Sequence, residues 1–167
     1  MSRAAATVIA LLAVAASVVD AGATATPAPT IFCNDIIGHA RTSRDAGYRL
    51  VLGVVSVPPA RLTQVEATHS TPWTFWRKAG LVIRAGNVPV SVSIPRAWRR
   101  RAAITWGSSG TVSALTIAPC PTPPKLWNAY AGGFYLRLRH ECVPLTFTVG
   151  RRTQTVRFGL GGTCPNG

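Results

Sequence analysis

The chain has 167 residues, a formal net charge of +13, 47% hydrophobic residues and 14% charged residues. A disordered chain would be poorer in apolar residues, and a coiled coil would be richer in Glu and Lys, so both classes are excluded. The length allows one domain, or one small domain with a tail.

The first 25 residues have the pattern of an export signal. Arg3 supplies a positive start, residues 4–19 are small and apolar, and Ala23-Thr24-Ala25 offers the small-x-small site that a signal peptidase needs. The sequence therefore predicts cleavage after Ala25 and a secreted or cell-surface chain. The alternative is an uncleaved N-terminal membrane anchor, which the run disfavours because it is short of the ~20 residues that span a bilayer. No other stretch is long and apolar enough to cross a membrane.

Residues 26–47 are predicted to form a Pro-rich linker and an irregular N-terminal segment, and residues 48–167 a single domain. Apolar residues in this domain alternate with period two, which is typical of half-buried strands. The clearest hairpin signal is a tight turn at residues 150–153 between two alternating runs. The predicted strands are 48–55, 81–84, 88–94, 101–106, 111–117, 134–139, 143–149 and 156–160.

Seven or eight short strands, separated by turns and without a long helix, predict an all-β fold. We expect an immunoglobulin-like antiparallel β-sandwich. A small β-barrel is the alternative, because alternation does not distinguish a closed sheet from two packed sheets.

The even number of cysteines in an exported chain favours two disulfides. The cysteines are Cys33, Cys120, Cys142 and Cys164. Since Cys142 and Cys164 bracket the hairpin, we expect them to pair, which leaves Cys33 with Cys120. The runner-up pairs Cys120 with Cys142 and Cys33 with Cys164. Zinc is disfavoured because the chain has no C-x-x-C pair.

The sequence names no catalytic residue, no metal ligand and no cofactor-binding motif, and so favours a non-enzymatic protein. Four carboxylates follow the signal, and we interpret them as solvated loop groups: Asp35, Asp45, Glu66 and Glu141. A secreted hydrolase that uses His39 or His140 is the less favoured hypothesis. The chain has no G-x-S-x-G elbow for a nucleophilic serine.

Arginine supplies most of the positive charge, and its planar fork suits phosphate. The candidate polyanion-binding residues are Arg99, Arg100, Arg101, Arg137, Arg139, Arg151 and Arg152. Genome composition and solubility are the commoner explanation of such charge, and binding is the functional hypothesis. The predicted partners are an anionic cell-wall polymer or lipid head groups, or another exported protein that docks on an open sheet edge. No specific nucleic acid is expected.

Three segments in the C-terminal part of the chain carry a resemblance. They are Trp127-Asn128-Ala129-Tyr130-Ala131-Gly132-Gly133-Phe134-Tyr135-Leu136, then Cys142-Val143-Pro144-Leu145, then Val156-Arg157-Phe158-Gly159. Together they resemble a group of small exported proteins from high-GC actinobacteria. The resemblance covers about a quarter of the chain, and its motifs are not catalytic. It implies export and a disulfide near the C-terminus, and it implies no function.

Overall fold

The computed structural model describes residues 27–41, 47–84, 86 and 88–165. The predicted signal segment, residues 1–25, lies outside the described residues, as does Asp45. None of the helical segments in the described part has the length and hydrophobicity to span a bilayer.

The described residues form fifteen short strands and two turns of 3-10 helix, at Cys33–Asp35 and Arg96–Trp98. The first eight strands are β1 Thr30–Ile31, β2 Gly38–Ala40, β3 Arg49–Val51, β4 Val55–Val57, β5 Arg61–Leu62, β6 Glu66–Ala67, β7 Phe75–Lys78 and β8 Leu81–Arg84. The other seven are β9 Val90–Ser93, β10 Ala102–Trp106, β11 Ala114–Ile117, β12 Trp127–Tyr130, β13 Gly132–Leu136, β14 Glu141–Val149 and β15 Arg152–Leu160.

The strands form three sheets, and the all-β prediction is confirmed. The six-stranded sheet has the order β1-β11-β9-β14-β15-β5, the four-stranded sheet β10-β13-β7-β6, and the five-stranded sheet β2-β12-β8-β4-β3. Most pairs are antiparallel, but the two outer pairs of the six-stranded sheet, β1 with β11 and β15 with β5, are parallel. None of these sheets closes on itself, so the observed architecture is sandwich-like and not a small closed barrel.

The hairpin of β14 and β15 is the longest element and confirms the strongest sequence signal. Nine residues of each strand pair, from Glu141 opposite Leu160 to Val149 opposite Arg152. Val143, Leu145 and Phe147 lie in the core, and Thr146 and Thr148 on the other face are half-buried, although Pro144 on that face is also buried. The apolar face fixes the register, because a slip of one residue would expose it.

The predicted strand over residues 48–55 is interrupted, and this part of the prediction is wrong. β3 and β4 form a hairpin in which Val51 pairs with Val55. Leu52 and Gly53, in the turn between them, have φ values of 53° and 78°. Left-handed backbone at two successive positions matches the twist of paired strands in a tight hairpin. The apolar alternation continues through this turn and hides it.

All three sheets contribute to one hydrophobic core. Its largest fully buried side chains include Trp106, Tyr130, Phe134, Phe147 and Phe158. Phe134 of the four-stranded sheet meets Phe158 of the six-stranded sheet with ring centroids 5.4 Å apart. Each large apolar side chain that is fully buried stabilises the fold by roughly 1.5–3 kcal/mol.

Two disulfides staple the described chain, with the connectivity favoured by the sequence. Cys33 pairs with Cys120 and Cys142 pairs with Cys164, at Cα–Cα distances of 5.5 and 5.1 Å. The second bond pins the C-terminal tail across β15 at Gly159, the residue opposite Cys142. A Cβ at Gly159 would overlap the backbone of Gly162 and Cys164, so only glycine allows the tail to cross there.

Candidate functional site

Three loops meet at one end of the molecule and bring together arginines that are distant in sequence. The loops are residues 94–101, before β10, residues 137–140, between β13 and β14, and residues 68–74, before β7. The backbone N–H of Arg137 donates to the carbonyl of Arg101 at 3.1 Å, and that of Thr74 donates to Leu136 at 3.0 Å. These bonds hold the three loops side by side.

We call this region the basic end. It contains five of the seven arginines predicted to bind polyanions, and all five are exposed: Arg99, Arg100, Arg101, Arg137 and Arg139. Arg137 and Arg139 were predicted to lie on a strand face, but β13 ends at Leu136 and both residues lie in the loop that follows.

The other two predicted residues, Arg151 and Arg152, lie at the opposite end of the long hairpin. Arg152 pairs with Val149, whereas Glu141 marks the basic end. Eight residues along an antiparallel strand at about 3.3 Å each separate the two positions by roughly 26 Å. The structure therefore brings five of the seven together and places two apart, so one binding site cannot use all seven at once.

Arg101 holds a buried carboxylate. Its Nε and Nη2 donate to the two oxygens of Glu141 at 3.1 and 2.5 Å, in a bidentate pair. The Glu141 side chain is 0% exposed and that of Arg101 is 50% exposed. A buried carboxylate without a partner is strongly destabilising, so the charge of Arg101 is already matched within the fold. Glu141 was predicted to be a solvated loop group, and this prediction is wrong.

Two tryptophans stack against arginines of the basic end. The guanidinium carbon of Arg101 lies 4.3 Å from the ring centroid of Trp98, and that of Arg137 lies 5.7 Å from the ring of Trp73. Such contacts hold a planar guanidinium by its face and leave its N–H edge free to donate. Arg137 is thus oriented by an aromatic ring and not by a carboxylate.

A cleft of about 350 Å³ lies beside the ion pair and is lined by Trp98, Arg101, His140 and Glu141, among others. His140 Nδ1–H donates to the carbonyl of Gly161 at 2.7 Å. Hydrolysis by a triad needs a carboxylate that orients the histidine. Among the described residues Glu141 bonds to Arg101 instead, and His39 lies exposed on β2, opposite Asn128.

The described residues contain no group of three His, Cys, Asp or Glu side chains placed to hold a metal ion. All four cysteines are in disulfides, which removes them as thiolate ligands. Asp35 also has a structural role, because it accepts hydrogen bonds from the backbone N–H and the hydroxyl of Ser108 at 2.8 and 3.1 Å.

Comparisons with family models, with curated proteins and with solved structures find no match for this chain. The resemblance to exported actinobacterial proteins stays a prediction.

Sequence reasoning missed a second group of arginines, at a cavity next to the C-terminal disulfide. Arg49, Arg61 and Arg157 line it together and come from three different strands. The only signal in the sequence was the outward position of Arg157 in its strand. Nothing in the sequence pattern places the other two beside it.

Proposed function

We propose that this chain is an exported, non-enzymatic binding protein whose basic end contacts an anionic polymer of the cell envelope, such as a wall polymer linked by phosphodiesters. The observation that carries the proposal is the convergence of Arg99, Arg100, Arg137 and Arg139 on one end, where no described carboxylate forms an ion pair with them. The two disulfides fit an extracellular location.

The chemistry of the polymer follows from the donors. Guanidinium groups on neighbouring loops present forked N–H edges, which bond phosphate oxygens in pairs. The half-buried Trp73, which lines a neighbouring cavity, adds apolar surface beside which a sugar or glycerol unit can rest. A linear polymer that alternates phosphate with such units satisfies both features.

The test is binding of the chain to immobilised poly(glycerol phosphate), over a range of NaCl concentrations. We expect the logarithm of the affinity to fall linearly with that of the salt concentration, as when counterions are released from a nucleic acid. The double variant R99A/R100A should bind about tenfold more weakly or worse, with a shallower salt slope. R151A/R152A removes the same charge at the far end and is the matched control.

Equal weakening in the two double variants would show that net charge alone drives retention, and salt-independent binding would refute the electrostatic mechanism. Binding to vesicles of anionic lipid but not to the polymer would replace the wall polymer by lipid head groups as the partner.

A second candidate function is docking of another exported protein. Phe32 and Ile37 flank the first 3-10 turn, and they are 58% and 69% exposed although both are large and apolar. Ile37 directly precedes β2, an edge strand of the five-stranded sheet, and edge strands offer unpaired backbone groups to a partner. If this surface carries the function, I37K should abolish recovery of a defined partner and leave polymer binding unchanged.

A further inference from the structure

We propose that Arg49, Arg61 and Arg157 form a discrete pocket for a single phosphate group, either free phosphate or one phosphodiester unit of a longer molecule. The cavity that they line has a volume of about 370 Å³, and Ala60, Thr163 and Cys164 complete its wall. This site is separate from the basic end and goes beyond the polymer-binding function proposed above.

Strand pairing places two of the three arginines on one face. In the parallel pair of β5 and β15, Arg61 lies opposite Gly159. Arg157 precedes Gly159 by two residues, so its side chain projects from the same face of the sheet as Arg61. The tail crosses this face at Gly159, close enough that a Cβ there would overlap Gly162, and it forms one wall of the cavity.

Arg49 reaches the pocket from β3, the edge strand of another sheet. Its Nη2 donates to the backbone carbonyl of Arg157 at 3.4 Å, and its guanidinium carbon lies 5.2 Å from the ring centroid of Phe158. This contact places the third positive charge beside the other two. Arg49 is therefore both a link between two sheets and a lining residue.

The guanidinium of Arg49 is only partly satisfied by the protein. Its Nε is buried and has no hydrogen-bond partner among the described atoms. Burial also lowers the pKa of Arg49 from its ordinary value, because removal from water penalises the charged form. An unpaired buried donor destabilises a fold. An anion in the cavity would not reach the buried Nε, but its negative charge would stabilise the guanidinium whose charged form burial penalises.

The charge of the lining residues selects the class of ligand. Three cationic side chains line the cavity, and none of the described carboxylates does. A single carboxylate ligand would neutralise one of the three charges, whereas phosphate offers several acceptor oxygens and up to two charges. Arginine forks match the spacing of oxygens on phosphate, and Thr163, which also lines the cavity, carries a hydroxyl that can donate.

The test is a titration of the folded protein, with both disulfides intact, at constant ionic strength set by NaCl. The two probes are inorganic phosphate and glycerophosphoglycerol, which is a phosphodiester. Binding is followed by calorimetry and by the Nε–Hε signals of the arginines in NMR. We expect saturable binding that shifts the Arg49 Nε–Hε signal. R61A and R157A, whose side chains the structure shows in no ion pair among the described residues, should each weaken it about tenfold or more. R152A, an exposed arginine at the far end of the same strand, should leave it unchanged.

The two probes distinguish a free phosphate ion from a phosphodiester unit as the ligand. Binding of both probes supports a phosphodiester unit as ligand, and binding of phosphate alone supports the free ion. The pocket is refuted if neither probe saturates, or if R61A and R157A bind phosphate as tightly as the unchanged chain. R49K tests the third arginine without deleting its charge, in case R49A fails to fold. R99A/R100A should keep its affinity for phosphate, so this site and the basic end can fail independently.

Discussion

At the scale of single residues, the ion pair of Arg101 with Glu141 gives Arg101 a structural role that the two arginines before it do not share. Arg99, Arg100 and Arg101 are equivalent in the sequence, but only Arg101 donates to a fully buried carboxylate. A buried ion loses its hydration and needs a partner, so the first role of Arg101 is to neutralise Glu141 within the fold. Neither neighbour forms an ion pair among the described residues, although the Nε of Arg99 donates to the backbone carbonyl of Ile94 at 3.3 Å.

We expect R101A to lower the free energy of unfolding by about 3 kcal/mol, because it leaves Glu141 charged and unpaired in the core. R100A, which removes an exposed charge from the adjacent position, should change it by less than about 0.5 kcal/mol. Urea denaturation of both variants measures the difference. The double variant R101M/E141L should recover most of the loss, and equal effects of R101A and R100A would contradict the structural role of the pair.

Tyr130 gives the fold a dependence on alkaline pH. Burial, and then the negative charge of Asp35, raise the pKa of this tyrosine above its ordinary value of 10.0. Between pH 10 and the raised value, the unfolded chain loses this proton while the folded chain keeps it. The folded state then binds more protons, so the free energy of unfolding falls as the pH rises.

The stabilising contribution of this group is complete below pH 10 and is lost as the pH rises through the folded pKa. One proton sets a limiting slope of about 1.4 kcal/mol per pH unit. Urea unfolding from neutral to strongly alkaline pH should therefore show a steeper decline for the unchanged chain than for Y130F. Identical pH profiles would show that Tyr130 titrates alike in the folded and unfolded states.

At the scale of elements, periodicity predicted most strands of four or more residues, but not β7 and β12. Both strands of the β14–β15 hairpin and β9 were found from alternation alone, because each has one apolar face. β1 and β5 have only two residues each, and a pattern of period two is invisible at that length. β12 was missed because it follows directly on a proline-rich loop and precedes glycines, which indicated a connection and not a strand.

The disulfide pairing was predictable because it follows from one element. The hairpin brings its two ends together, and Cys142 and Cys164 flank those ends. In the chain-entropy model, the sequence separations of 87 and 22 residues correspond to about 4.5 and about 3.4 kcal/mol of stabilisation.

We therefore expect C33A/C120A to destabilise the fold more than C142A/C164A, by about 1 kcal/mol in urea unfolding. Each double variant retains one intact disulfide, and so serves as the control for the other. Peptide mapping of the unchanged chain under non-reducing conditions should recover the Cys33–Cys120 and Cys142–Cys164 peptides. A Cys120–Cys142 peptide, or the opposite order of stability, would contradict the structure.

At the scale of the whole molecule, the location of charge could not be predicted from the sequence. Arg101 and Arg137 are neighbours because the loops before β10 and after β13 share a backbone hydrogen bond. Arg151 follows the end of β14 closely in sequence. It nevertheless lies far from the basic end, because the basic end is at the start of β14 and the long hairpin separates the two. Sequence patterns predict strands, but contacts between loops depend on how the sheets pack.

The same limit applies to the arginine pocket at the C-terminal disulfide. Arg49, Arg61 and Arg157 belong to β3, β5 and β15, and only the packing of the five-stranded sheet against the edge of the six-stranded sheet unites them. Their positions along the chain carry no common pattern.

The central claim is that the basic end is a binding surface for a polyanion. Its most direct test is an NMR titration of the isotope-labelled chain with short poly(glycerol phosphate), in which the backbone amide shifts report the contact surface. Apart from shifts at the separate pocket of Arg49, Arg61 and Arg157, we predict that the shifts concentrate at residues 99–101 and 137–140 and disappear at high salt. Shifts spread over all exposed arginines, or centred on Arg151 and Arg152, would contradict the claim.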